Sequence, residues 1–187
     1  AIPGIVFGWI TSLSVSYTPI YMDVKVKLGD EKSLRFTNNI ISIAITISLI
    51  CAVLGVVLSS QLVSISAPGF EGEVYALTVE FVKVSVFSVV FTVFAQILTS
   101  YLNCNDRFIL SNISTLVISS TQLLVIFLSS KFGKEMLIYG TVLSNIFQLI
   151  VLYIFSGKIG YRFKYELKIT PEIKQAFIIL APIFVSS

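Results

Sequence analysis

Four internal stretches of this chain run for more than twenty residues without a charge. They are Phe36–Phe70 (35 residues), Val84–Asn105 (22), Phe108–Ser130 (23) and Met136–Gly157 (22). About 20 apolar residues at 1.5 Å each cross the roughly 30 Å hydrocarbon core of a bilayer. Each stretch is therefore long enough to span one. Two more charge-free runs, Ala1–Met22 and Gln175–Ser187, touch the ends of the sequence and are expected as partial spans. A membrane β-barrel needs alternating segments of about 10 residues, whereas runs such as Ile40–Ile50 are continuous. Their β-branched residues favour strands in water, but in lipid each backbone group must pair internally, which a helix does. The predicted fold is an all-α polytopic membrane protein, a helical bundle.

Six segments follow, at about 1–22, 37–66, 76–103, 107–130, 135–156 and 171–187, the last being the start of a further transmembrane helix. Ala1 is followed by no charged leader of the signal-peptide kind, and the last residues stop inside an apolar run. The sequence thus reads as a piece of a longer, transporter-like chain. Ala67–Pro68–Gly69–Phe70 is a stop signal. Asn103–Cys104–Asn105–Asp106–Arg107 leaves room only for a tight helical hairpin, and Asn and Asp tolerate the left-handed backbone such a turn needs. Thr170–Pro171–Glu172 suits a helix start: a cap, a proline in the first turn, then an acid.

Basic residues orient such a chain, because cytoplasmic linkers are enriched in them. Lys25, Lys27, Lys32, Arg35, Arg107, Lys158, Arg162, Lys164, Lys168 and Lys174 fall in or beside the first, third and fifth linkers. Only Lys131 and Lys134 fall on the opposite side. The first, third and fifth linkers are therefore expected in the cytoplasm.

Several functional classes are unsupported. The net charge of +3 comes from linker residues and describes no nucleic-acid surface. There is no histidine, and Cys51 and Cys104 form no disulfide or metal pattern. No nucleophile–base pair, phosphate-cradling glycine loop or paired intramembrane carboxylate appears. Neither catalysis nor a metal or other cofactor is expected.

The first segment is the most polar, with Thr11, Ser12, Ser14, Ser16 and Thr18 before Pro19. Ser12 and Ser16 share one helical face; Thr11, Ser14 and Thr18 share another. Pro19 removes a backbone donor and crowds the Val15 carbonyl, so a kink is expected. These hydroxyls are candidate cavity-lining groups, though bonding to their own helix is the alternative. Ala44, Ser48 and Ala52, with Cys51 and Gly55 alongside, form a small-residue stripe suited to close packing. Glu80 and Lys83 sit three apart, where they can pair. Interfacial anchoring and a coupling role both remain open for them. Asn145, with Gln148, Gln122 and Gln96, is expected to bond between helices, and Asn145 is also a cavity-lining candidate.

The linkers carry a resemblance. Ser14–Asp23 with the charged stretch around Gly29–Asp30–Glu31, Ser66–Ala67–Pro68–Gly69–Phe70 followed by Leu77–Thr78–Val79, Leu102–Asn103 with Arg107–Phe108, and Tyr161–Arg162–Phe163 before Leu180–Ala181–Pro182 all resemble the MurJ/MviN family. Pro68, Gly69, Phe70, Asn103, Arg107 and Phe108 are its structural motif positions here. The resemblance implies the MOP flippase superfamily, with fourteen helices in two lobes. This piece would hold helices two to six and the start of seven. It further implies transport of lipid II, a lipid-linked cell-wall precursor, across the bacterial cytoplasmic membrane by alternating access. The partners implied are that lipid-linked substrate, membrane lipids and the remaining helices. The family's arginine pair after the start of the second helix is missing, since Gly4–Ile5–Val6–Phe7–Gly8–Trp9 follows Pro3. No phosphate-binding arginine is carried over. Another exporter of the superfamily, for a lipid-linked oligosaccharide or a drug, and a non-transporting membrane scaffold are the alternatives.

Overall fold

A computed structural model describes residues 16–133, 135–176 and 178. The described residues form helices and no strand. Helix α1 covers 16–28, and α2 runs Asp30–Val57, α3 Ser59–Ser66, α4 Gly72–Cys104, α5 Phe108–Phe132 and α6 Glu135–Lys158. An extended strap, 161–170, then leads into α7 at 171–176. Four of the described helices, α2, α4, α5 and α6, are long and apolar enough to cross a membrane. These are the four complete spans expected from the charge-free runs.

The first linker departs from expectation. Residues 23–35 are helical on both sides of one break, at Gly29, whose φ is +86°. Charge is the reason. Lys27 and Asp23 pair at 2.8 Å, and Arg35 and Glu31 pair at 2.8 Å, both four residues apart. Such pairs sustain a helix in water. Asp30 and Glu31 also complement the dipole at the start of α2. A charge-free run marks the embedded part of a helix, and the helix continues beyond it.

The second segment, expected as one helix over 37–66, is divided at Leu58. Ser59 donates its hydroxyl to the Val56 carbonyl at 2.8 Å, the local bonding by which serine competes with a helical ladder. The end of α3 is the expected stop: Phe70 N–H bonds Ala67 C=O at 3.1 Å around Pro68 and Gly69.

Two helices end in the same way. After α4, Asp106 N–H bonds Asn103 C=O and Arg107 N–H bonds Leu102 C=O, with Asp106 at φ +58°. After α6, Gly160 N–H bonds Gly157 C=O and Tyr161 N–H bonds Ser156 C=O, with Gly160 at φ +93°. Each is the paired-bond cap that satisfies the last carbonyls of a helix and turns the chain sharply.

Helix α4 is the hub. Its 33 residues extend roughly 50 Å at 1.5 Å each. It packs against α2 on one side and α6 on another, while α5 packs mainly on α6. Val93, Ile97, Leu98 and Leu102 of α4 are completely enclosed or nearly so. The small-residue stripe is a packing surface: Ala44, Ser48 and Ala52 are buried, and Gly55 lies under Val86 of α4. Cys51 is exposed and outside that contact.

Gly140 of α6 lies tight against Val125 of α5, with no room for a Cβ. Overpacking of this kind costs about 1–3 kcal/mol. Gly140→Leu is expected to lower thermal stability in detergent by a corresponding amount. Gly157→Leu, where nothing lies near the added carbon, is expected to shift it far less. Equal losses at both positions would show that intrinsic backbone effects, not the α5–α6 contact, set the cost.

Candidate functional site

The three linkers rich in basic residues meet at one end of the bundle. Lys25 Nζ at the end of α1 donates to Asn105 Oδ1 after α4 at 2.7 Å. Asn105 Nδ2 in turn reaches Tyr21 Oη at 3.0 Å and the Tyr101 carbonyl at 2.8 Å. The strap is held from α2. Asn39 donates to the Lys168 carbonyl and accepts the Lys168 N–H at 3.0 Å. Ser42 Oγ accepts the Glu166 N–H at 3.0 Å, and Asn38 Nδ2 donates to the Arg162 carbonyl at 3.1 Å. Thr46 Oγ1 and Tyr165 Oη lie 2.9 Å apart.

An aromatic chain lies beneath this clasp. Tyr17 stacks on Tyr21 and Phe36, Tyr21 meets Tyr101 edge-on, and Tyr101 meets Tyr161. Tyr17 Oη is 2.7 Å from Thr37 Oγ1. Because Thr37 gives its proton to the Ser33 carbonyl, Tyr17 is the donor. These rings fill the junction of α1, α2, α4 and the strap.

Between α1, α2, the strap and α7 lies an open cleft of ≈ 310 Å³. Lys32, Arg35 and Lys168 line it together with Glu166 and Glu172. Glu166 is held below the ordinary glutamate range, first by its hydrogen bond from Lys168. Glu172 is lowered as well, by bonds from Thr170 and from its own backbone N–H.

The residues singled out from sequence fall in several places. Ser12 and Ser14, with Thr11, lie outside the described residues, as does the Val15 carbonyl on which the Pro19 kink depends. Ser16 is 1% exposed, inside the bundle, whereas Thr18 and Pro19 are exposed. The Ser16 face therefore packs, and the Thr18 face looks outward. Glu80 and Lys83 do not pair. Glu80 Oε1 accepts the Tyr139 hydroxyl at 2.7 Å instead, joining α4 to α6 at the end opposite the clasp. Asn145 is buried on α6, but no side-chain hydrogen bond joins it, Gln96, Gln122 or Gln148 to another of the described residues. The interhelical polar contacts expected of them are made elsewhere, by shorter side chains at the basic end. Asn103 Oδ1 receives the Ser111 hydroxyl at 2.6 Å, tying α4 to α5. Pro68, Gly69 and Phe70 form the exposed turn after α3, and Arg107 and Phe108 are exposed at the α4–α5 turn. Among the described residues no group of His, Cys, Asp and Glu is placed to hold a metal ion.

The strap-binding residues were missed in the sequence. A signal existed: Asn38, Ser42 and Thr46 recur every four residues, a polar stripe opening an apolar run.

The family model of the lipid II flippase MurJ matches residues 8–187. The chain belongs to the MurJ lipid II flippase family. A comparison with the curated proteins finds no match. The MurJ match covers every element described above, and the function it carries is that of a lipid II flippase. It thereby agrees with the resemblance read from the linkers. MurJ is a transporter family, and with four helices long and apolar enough to cross a membrane among the described residues the chain is a multi-pass membrane protein.

The clasp yields a prediction. Asn39→Ala removes both bonds to Lys168 and leaves backbone groups unpaired, a change of about 1–3 kcal/mol. Amide exchange at 166–168 is expected to quicken while α5 and α6 stay protected. Acid should loosen the same contact. Both carboxyls have lowered pKa values, so their stabilisation is present above the ordinary glutamate range and is lost as pH falls through and below it. Strap exchange measured against pH, and corrected for intrinsic rates, should rise there. A flat profile would remove Glu166 from the account.

Proposed function

We propose that this chain forms helices two to six and the start of seven of a lipid II flippase, in the bacterial cytoplasmic membrane. It carries its lipid-linked substrate by alternating access together with the remaining helices. One observation carries the reading: the MurJ match runs over nearly the whole chain, while the clasp gathers the basic linkers at one end. That end is assigned to the cytoplasm, because it holds ten of the thirteen lysines and arginines.

Alternating access needs a lobe that moves as a body. The hub helix α4, the close α5–α6 contact and the clasp make this set of helices one packed unit. The outward face of α1, with Thr18 and Pro19, is then the wall offered to a central cavity. The buried Ser16 face holds α1 to its neighbours. Nothing in the structure favours a drug exporter or a scaffold.

The activity test is genetic. In cells depleted of their own flippase, the full-length protein should restore growth and lipid II appearance at the outer leaflet. Normal insertion without rescue rejects the proposal. The wall is tested separately, in a background where Cys51 and Cys104 are replaced by serine. Thr18→Cys is expected to react with a water-soluble thiol reagent several-fold faster than Ser16→Cys. Faster labelling of Ser16→Cys would reverse the assignment of the two faces.

A further inference from the structure

The cleft at the basic end has two kinds of wall. Val24 and Phe36 are buried in its floor, and Leu28 and Pro171 carry apolar surface to its exposed edge. Lys32, Arg35 and Lys168 supply the charge. Of the two carboxylates lining it, Glu166 is ion-paired, with Lys168 Nζ 2.8 Å from its Oε1, and Glu172 lies in the first turn of α7. Arg35 gives one nitrogen to Glu31 at 2.8 Å, which leaves the rest of its planar fork of donors. Lys32 has no ion pair among the described residues. Of the three cations in the lining, Arg35 is paired with Glu31 and Lys168 with Glu166, and Lys32 stands outside an ion pair among the described residues.

One cation outside an ion pair matches a phosphodiester, which bears a single negative charge, better than a diphosphate, which bears more. Lys32 and Arg35 stand one turn apart on the same face of α2, and a guanidinium fork fits phosphate oxygens. The level is right as well. The charge-free run of α2 begins at Phe36, so the cleft straddles the boundary between hydrocarbon and headgroups. Basic pockets between membrane helices on the cytoplasmic side take lipid headgroups. At ≈ 310 Å³ the cleft has room for a headgroup but not for acyl chains. Those can leave past Ile169, which is 78% exposed beside the lining residues Lys168 and Thr170.

We propose that this cleft binds an anionic phospholipid of the inner leaflet through its phosphodiester, held between Lys32 and Arg35, apart from the transport cavity. The strap is the site's second wall. Because α2 side chains fix its backbone, the wall is formed before the lipid arrives.

The test titrates phosphatidylglycerol, with phosphatidylcholine as the zwitterionic comparison, into the full-length protein and counts bound lipids by native mass spectrometry. Phosphatidylglycerol is expected to bind more tightly. The double variant Lys32→Gln, Arg35→Gln should weaken it roughly tenfold or more, given about 1 kcal/mol per basic residue near a lipid surface. Arg162→Gln with Lys164→Gln removes the same charge outside the cleft and should leave binding almost unchanged. If the first double variant is not monodisperse, Lys32→Gln alone, at an exposed side chain, should show a loss of the same sign. Equal weakening by both double variants means general electrostatics and overturns the site. So does equal binding of the two lipids. Displacement by glycerol phosphate alone would make it a free-phosphate site, and displacement by undecaprenyl diphosphate would make it part of the substrate path. Either result overturns the proposal. None of these readouts depends on flippase activity.

Discussion

A peptide group near hydrocarbon has no water to bond, so it must find a partner within the protein. The helices meet this demand through their own ladders. The strap at 161–170 has no ladder, and it lies at the bundle's end, beside α2. Its backbone is paired by side chains instead: Asn38, Asn39 and Ser42 reach Arg162, Glu166 and Lys168. Much else at that end depends on this substitution. It brings the fifth linker to the first, sets the wall of the cleft and fixes where α7 begins. Ile173 and Ala176 of α7 are buried as a result.

The same demand explains the sharp turns. A helix leaves its last carbonyls unpaired. Asp106 and Gly160, both at positive φ, fold the chain back so that the next two N–H groups satisfy them. Asp106 can do so at modest cost because its short polar side chain tolerates that conformation. The turn then places Asn105 where Lys25 and Tyr21 reach it. The geometry of one helix end thus becomes a link between the first and third linkers.

The legible part of the fold was the part set by bulk transfer. Charge-free runs located four spans, and Pro68–Gly69 and Asn105–Asp106 located turns, because each is a local property of the chain. The break at Leu58 was not legible: Ser59 bonds the Val56 carbonyl there, but Ser48 and Ser88 make the same bond inside unbroken helices. The helical linker at 23–35 was missed because charge was taken as a break, when at spacing four it supports a helix. The candidate site was less legible still. Long amides such as Gln96, Gln122 and Gln148 drew attention by polarity, yet they make no side-chain hydrogen bond among the described residues. The stripe of Asn38, Ser42 and Thr46 marks a polar face on α2, but the partners of Asn38, Asn39 and Ser42 lie more than 120 residues away, and a local pattern does not name them.

The distribution of charge bears on how a diphosphate-bearing lipid crosses. A charge at mid-bilayer is costly unless paired or hydrated. Within the four spans the described charges lie towards the ends: Asp30, Glu31, Lys32 and Arg35 opening α2, Glu73, Glu80 and Lys83 in the first half of α4, and Lys131 and Lys158 closing α5 and α6. From Phe36 to Phe70, and from Val84 to Asn105, there is none. Within those two runs α2 and α4 therefore supply an apolar surface with hydroxyls, Thr46 and Thr92 among them, and no cation to grip a headgroup midway. A cation there would hold the substrate's diphosphate more tightly in the membrane centre and slow its release to either side. On the proposed function, contacts that favour the diphosphate come from outside these four helices. On that proposal, helices whose charges sit at the rim, and whose polar bonds hold them to one another, suit a wall that moves past the headgroup without binding it.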